Sequence, residues 1–330
     1  MIISKTPLRI SFGGGGTDLP SFYKNHDYGA VLSTAINRYI YVIVKSHSDI
    51  FDEHIRLNYS EVERVGNFEE IKNPIIRECL RFLKIDDRLF INTIADLPGS
   101  SGLGSSSSFC VGLLNALYKF RGDCVSAGRL AEEAAHIELD VLGRTMGKQD
   151  HYATAYGGVN YFRFYSDETV TIQPVTPPNE ATFDILHSVS AFWLNKTRDA
   201  AEVLQEQDTK HEKNAPILLE MREQAQTLKS LLCSGDITIE KFGKILHEGW
   251  TMKKRLASSI TFDWIDQLYE CARRAGAIGG KVAGAGGGGF LLMVTKPECR
   301  GAVHAALAEQ GFCGYRFGKE SLGTSVLALS

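Results

Sequence analysis

Three glycine-rich stretches hold the residues of this chain best suited to chemistry. Gly13 to Gly16 is an unbroken run. Gly99, Gly102 and Gly104 lead into Ser105, Ser106, Ser107 and Ser108. Gly284, Gly286, Gly287 and Gly288 form a third cluster that Gly289 closes. Glycine brings backbone N–H groups close to a ligand and tolerates positive φ, at an entropic cost that an ordinary turn meets with one residue. Clusters of it, one of them followed by serines, point to phosphate.

Several other chemistries are absent. No Gly-Lys pair is followed by Ser or Thr: Gly147-Lys148 precedes Gln149, Gly243-Lys244 precedes Ile245, and Gly280-Lys281 precedes Val282. That excludes a Walker A loop. Gly284-x-Gly286-x-x-Gly289 has dinucleotide spacing but runs into the strand-like Phe290 to Thr295 instead of a helix, which discounts a Rossmann site. There is no nucleophile elbow, no Cys-x-x-Cys and no zinc-ligand spacing among the histidines.

The elements that must position these residues can be read from periodicity. Leu89 to Ala95 is rich in β-branched and aromatic residues and predicts a strand. Phe109, Leu113, Leu114 and Leu117 recur at helical intervals, with Ser105 to Ser108 where N-cap and first-turn residues belong. Strand, glycine loop and helix N-terminus in that order form an anion site of unpaired N–H donors at the positive end of a dipole. Leu8 to Phe12, carrying Arg9, also predicts a strand. A helix over Gly128 to Leu142 places Ala131, Ala135, Glu138 and Leu142 on one stripe.

Further strands are expected at Tyr39 to Lys45 and Gly158 to Phe164. Pro174, Pro177 and Pro178 mark a boundary, giving domains over 1–175 and 176–330. Beyond it, Thr182 to Leu194 reads as a strand. Residues near 199–232, 238–256 and 262–275 read as helices, and strands and one helix alternate from Lys281. Strands and helices without strict βαβ alternation indicate an α+β fold.

Composition narrows the function further. The 330 residues carry 36 basic and 39 acidic side chains, net −3, so the field that concentrates nucleic acid is missing. No apolar run approaches the ~20 residues that span a bilayer. Seven scattered cysteines and no leader-like start point to a reducing cytoplasm.

The run Pro98-Gly-Ser-Ser-Gly-Leu-Gly-Ser-Ser-Ser107 resembles the phosphate-binding loop of the GHMP small-molecule kinases. Pro7-Leu-Arg-Ile-Ser-Phe-Gly-Gly-Gly-Gly-Thr-Asp18 resembles that family's N-terminal substrate motif, and Lys281-Val-Ala-Gly-Ala-Gly-Gly-Gly-Gly-Phe290 its C-terminal glycine motif. The three lie in the family's order across nearly the whole chain. The resemblance implies an N-terminal domain of ribosomal S5 domain 2-like fold and a ferredoxin-like C-terminal domain, with ATP and substrate in the cleft between them. The glycines preceding Thr17-Asp18-Leu-Pro-Ser-Phe-Tyr23 are most similar to the branch of sugar 1-kinases acting on D-glycero-D-manno-heptose 7-phosphate, which some fucokinases share. Galactokinases have a Glu-His pair where this chain has Gly15 and Gly16.

The resemblance also implies roles. Gly147-Lys-Gln-Asp150 matches the segment of the catalytic aspartate, making Asp150 the base for the sugar hydroxyl, with Arg9 beside it to favour the ionised carboxylate and to bind the phosphoryl group. Gly99, Ser101, Gly102, Leu103, Gly104, Ser105, Ser106 and Ser107 would hold the ATP phosphates. Glu138 and Ser106, with Ser105 next in line, would bind Mg²⁺, which favours hard oxygen ligands. Gly15, Gly16, Thr17, Asp18 and Arg198 would contact the sugar. Arg38, Lys24, Arg144 and Lys148 all remain open as holders of a sugar phosphate.

The implied activity is ATP-dependent phosphorylation of heptose 7-phosphate to the 1,7-bisphosphate, for nucleotide-heptose and surface polysaccharide supply. L-fucokinase or another sugar kinase of the family is the alternative, followed by a decarboxylase of the same fold or a non-enzymatic sugar sensor.

Overall fold

The computed structural model describes residues 1–179, 182, 185–197 and 200–329. The expected role of Arg198 lies outside the described residues.

A large sheet is built around one long strand. β2 (Tyr28–Ser46) pairs antiparallel with β1 (Ile2–Gly13) along most of its length. It pairs with β6 (Val159–Tyr165) through its first half and with β5 (Leu89–Ala95) through its second. The short strands β3 (Ile55–Asn58) and β4 (Val62–Val65) extend the β5 edge, and β7 (Val170–Pro174) extends β6. Register shifts between Pro7 and Leu8 and between Ser11 and Gly13 bend β1 on either side of Arg9.

Helix α3 (Ser105–Arg121) lies across β1 and β2. Phe109, Leu113, Leu114 and Leu117 are all buried, as their spacing requires, but so are Val111, Gly112 and Ala116. The sheet takes one side of the helix, while α2 (Pro74–Leu83), α4 (Ala127–Ala135) and α5 (Gln149–Tyr156) take others. Gly112 permits the close approach to β1, since a methyl there would stand 2.6 Å from the Thr6 hydroxyl.

A second sheet, ordered β11-β8-β10-β9, is antiparallel throughout: β8 (Val189–Trp193), β9 (Ala277–Val282), β10 (Phe290–Thr295) and β11 (Gly314–Tyr315). Helices Ile239–Lys253, Asp263–Arg274 and Pro297–Ala308 pack against it around Trp250, Ile265, Leu268 and Val303. The chain then turns back: β12 (Ser325–Ala328) adds to the free edge of β1. The proline boundary at residue 175 therefore separates the sequence more cleanly than it separates the sheets.

Three expectations for single elements are corrected. The strand expected over Thr182 to Leu194 is a 3₁₀ turn at Ile185–Ser188 followed by a strand confined to Val189–Trp193, where β10 and β11 supply partners. The helix expected near 199–232 is two helices, Ala200–Thr209 and His211–Ser234, broken at Lys210. Asn214, buried near the start of the second, donates its amide to the Leu256 carbonyl and ties that helix to the segment that follows helix Ile239–Lys253. The helix over Gly128 to Leu142 widens into a π turn at His136–Val141.

Candidate active site

Arg9 reaches from β1 to the first turn of α5. Its guanidinium donates from Nε to Asp150 Oδ1 at 2.6 Å and from Nη2 to Oδ2 at 2.5 Å, a bidentate fork. Nη1 donates to the Gly102 carbonyl at 2.7 Å, and the Arg9 backbone N–H donates to the Leu103 carbonyl at 3.0 Å. The strand thus holds both the aspartate and the glycine loop. Arg9 is 4% exposed, while the Asp150 side chain keeps 16% of its surface open.

The loop itself depends on left-handed backbone. Ser100, Gly102 and Gly104 have φ of +54°, +79° and +82°. Gly104 is the N-cap of α3, so none of the serines caps the helix; Ser105, Ser106 and Ser107 form its first turn, where N–H groups have no intrahelical partner. Ser101, Gly102, Gly104 and these three serines border a cavity of about 730 Å³ that Arg9 and Asp150 also line. Leu103 is buried beneath the loop, and Gly99 sits outside the cavity lining.

Beside that first turn is a buried charge cluster. Ser106 Oγ donates to Glu138 Oε1 at 2.5 Å, Arg144 Nη1 donates to the same oxygen at 2.6 Å and to Ser106 Oγ at 2.8 Å, and His151 Nε2 lies 2.9 Å from Glu138 Oε2. Glu138 is fully buried. Burial opposes its ionisation, but the His151 and Ser106 hydrogen bonds and the Arg144 charge outweigh that and hold the carboxyl below its usual range. The π turn brings this carboxylate to α3, a common use of that irregularity.

Among the described residues no group of three or more His, Cys, Asp or Glu could cage a metal ion. A lone carboxylate beside a hydroxyl is nonetheless a fitting donor set for Mg²⁺, which keeps waters and takes substrate phosphates as ligands.

The N-terminal glycine run meets Asp150 from the other side. Gly15, Gly16 and Asp18 line the cavity. Asp18 accepts from the Gly16 N–H at 3.0 Å and from Gln149 Nε2 at 3.0 Å. Burial and the nearby Asp150 charge raise its pKa against those hydrogen bonds. Thr17 departs from the sugar contact expected of it. It is fully buried and outside the cavity lining, its hydroxyl donating to the Gly14 and Ala30 carbonyls and accepting the Ala30 N–H.

The C-terminal glycine run packs onto the phosphate-type loop. A methyl on Gly284 would lie 2.6 Å from Gly102 Cα, and one on Gly289 2.3 Å from the Ser101 carbonyl oxygen. Gly286 and Gly287 turn instead toward Ile260, whose carbonyl accepts the Gly287 N–H at 2.7 Å. Gly288 completes the turn.

Among the basic residues left open, Arg144 belongs to the Glu138 cluster. Arg38 lies elsewhere, over the Phe317 ring. Lys24 and Lys148 both pair with Glu168, Lys24 at 2.6 Å, in a second cavity of about 850 Å³ that borders the first through Leu19, Arg144, Thr145 and Met146. Partial burial opposes it, but their hydrogen bonds and that of Tyr23 bring Glu168 down to about 2.

Two residues of the site had no signal in the sequence. Gln149 is an ordinary helix-start residue until Asp18 is placed beside it. Lys253 opens a Lys-Lys-Arg run that reads as solvated surface, yet it is buried, lines the cavity and donates to the Gly284 carbonyl.

Comparison with known proteins identifies the family. The model of the GHMP kinase N-terminal domain matches residues 73–158, and that of the C-terminal domain residues 228–312. The D-glycero-alpha-D-manno-heptose 7-phosphate kinase of Campylobacter jejuni is 30% identical over 97% of this chain and 98% of its own. A galactokinase of Pyrococcus furiosus is 24% identical over 93% of each. The crystal structure of a D-glycero-D-manno-heptose 1-phosphate kinase from Bacteroides thetaiotaomicron superposes with a TM-score of 0.81 at 26% identity, covering all of both chains. With two-domain architecture, loop and cleft all in place, the chain belongs to the GHMP kinase family and is an ATP-dependent sugar kinase.

Proposed function

We propose that the protein transfers the γ-phosphoryl group of ATP to the anomeric hydroxyl of D-glycero-α-D-manno-heptose 7-phosphate, giving the 1,7-bisphosphate. The observation that carries this reading is the Arg9–Asp150 fork opening onto both the glycine-serine loop and the side-chain-free Gly15 and Gly16. Those two glycines leave room for a bulky sugar where a larger residue would stand. The similarity over nearly full length to a heptose 7-phosphate kinase supports the same substrate.

In this scheme the α3 N-terminus and the loop amides bind the polyphosphate. Asp18, Gly15 and Gly16 place the sugar. Asp150 takes the proton of the attacking hydroxyl as that oxygen bonds to the γ-phosphorus and the bond to the β,γ-bridging oxygen breaks, leaving ADP. Arg9 orients the carboxylate and donates to the phosphoryl oxygens. Ser106 and Glu138 are the residues that would hold Mg²⁺, which when bound neutralises phosphate charge. The setting is cytoplasmic, where ATP and reduced thiols coexist, and the product would feed nucleotide-heptose synthesis for surface polysaccharide. Residues 1–175 and 176–330 would form the two functional halves, joined at the glycine contacts.

A coupled ADP-release assay across heptose 7-phosphate, mannose, fucose, galactose and mevalonate tests the assignment. Heptose 7-phosphate is expected to give the highest kcat/KM. A higher value for fucose or galactose would overturn it.

A further inference from the structure

The carboxylates around the cleft are already engaged. Asp150 is gripped by Arg9, Glu138 by Arg144 and His151, and Asp18 by Gln149 and the Gly16 N–H. Two buried lysines in the wall contributed by the second domain are not matched in this way. Lys281, on β9, donates to the Ser11 carbonyl at 2.9 Å and lies outside the cleft, bordering a small internal cavity beside Gly13 to Gly15. Lys253, at the end of helix Ile239–Lys253, donates to the Gly284 carbonyl and lines the cleft itself. Among the described residues neither lies within ion-pair distance of a carboxylate.

A buried ammonium held only by carbonyl dipoles is poorly compensated for its lost hydration. Here burial and the charge of Arg9 push Lys253 down to about 8, against the opposite pull of Asp18 and Asp150. Lys281 is lowered as well, by burial and then by Lys253 itself. Of these two crowded cations, only Lys253 is open to the cleft. An anion entering the cleft would supply the missing counter-charge.

The position of Lys253 selects which anion. Gly284, whose carbonyl it holds, packs directly on Gly102 of the loop that leads into α3. Lys253 therefore faces the polyphosphate region from the second domain, while the α3 N-terminus faces it from the first. It also stands within electrostatic reach of both Arg9 and Asp150, the residues that flank the group in transfer.

We infer that Lys253 binds the γ-phosphoryl oxygens of ATP and accompanies that group as it passes to the sugar. The inference deepens the kinase reading and rests on it. Lysine suits this task as a compact charge that follows a moving phosphate, whereas Arg9 is fixed by its fork.

The test titrates Mg²⁺-ADP and the Mg²⁺ complex of a non-hydrolysable β,γ-imido ATP analogue into the full-length protein and into Lys253→Met, Lys253→Arg and Lys253→Gln. It is paired with kinetics on the acceptor that the parent phosphorylates best. Lys253→Met is expected to weaken the triphosphate analogue at least about fivefold and ADP less than about twofold, and to lower kcat by about 10²-fold. Its melting temperature should hold or rise, because an uncompensated buried charge is gone. Lys253→Arg should recover part of the preference for the triphosphate.

Equal weakening of ADP and triphosphate, or an unchanged preference between them, overturns the inference. So does a loss confined to the KM of a phosphorylated sugar, which would assign Lys253 to that sugar's own phosphate. Should the methionine variant not fold, Lys253→Gln, which removes the charge but keeps a hydrogen-bond donor, decides by the same criteria. If no sugar is turned over by the parent, the kinase reading fails in the acceptor assay, while the nucleotide titration still decides on Lys253.

Discussion

Gly102 and Gly284 meet backbone to backbone across the cleft: a methyl on Gly284 would lie 2.6 Å from Gly102 Cα, and one on Gly102 would lie 2.7 Å from the Ala283 carbonyl oxygen. Both residues have positive φ, +79° and +61°. Two glycines more than a hundred residues apart in sequence thereby bring the two domains into contact at the loop that leads into α3. Gly284→Val should fail on both counts, steric and conformational. We expect it to destabilise the protein by about 2–4 kcal/mol and to raise the KM for ATP. Thermal unfolding and nucleotide titration measure the two effects, and a variant with parental values in both would mean that the contact is dispensable.

Asp150→Asn preserves the shape of the side chain while removing its charge and its ability to take a proton. We expect kcat to fall by about 10²–10⁴-fold, with ATP affinity within a few-fold of the parent. Steady-state kinetics beside a nucleotide titration separate the two. Unchanged turnover would remove the carboxylate from the mechanism.

Glu138→Gln takes the carboxylate away from Arg144, whose side chain is 35% exposed and so regains some hydration, and costs about 1–2 kcal/mol. The native carboxyl has its pKa lowered in the folded state. Its contribution is therefore complete above the unfolded value near 4.5 and is lost as pH falls below it. Melting temperature followed from pH 6 to pH 3 should drop less steeply in the variant than in the parent. Parallel curves would show that Glu138 carries no such linkage. A higher Mg²⁺ requirement is expected in the same variant.

Thr17 and Asp18 are neighbours with different work. Thr17→Val removes hydrogen bonds to buried carbonyls and should cost about 1–3 kcal/mol of stability with the sugar KM unchanged. Asp18→Asn should do the reverse, keeping the fold and raising the sugar KM at least about tenfold, since its carboxylate borders the cavity. If Thr17→Val shifted the sugar KM as strongly as Asp18→Asn, the division drawn between them would be wrong.

Much of the site is legible in the chain because its signals are local. The loop from Gly99 to Ser107 is marked by its own glycines and the helix that follows, and both can be read from spacing, although Arg9 and the C-terminal glycine run also hold it. Strand β5 and the helix that leads up to Glu138 follow from residue type and period. The errors fall where partners decide. The strand around Val189 is only as long as β10 and β11 allow, and the helical run breaks at Lys210, whose backbone leaves the helical region. The π turn at His136–Val141 was not legible, because a single i→i+5 turn is set by packing around Glu138 and leaves no residue-type signature of its own.

What the linear order of residues determined was a set of glycine clusters that point to phosphate and the motifs of a family, and it is the resemblance to that family that suggests a carboxylate and a guanidinium to work on a hydroxyl. What only tertiary structure decided was which charges meet and which are left over. Arg144 joined Glu138 and Ser106, Lys24 joined Lys148 on Glu168, and Lys253 came to the cleft with no carboxylate partner among the described residues. Local spacing encodes the period of a helix or strand and the shape of a turn. Burial and ion pairing depend on residues far apart in the chain, and those distances are set only when the two sheets close on each other.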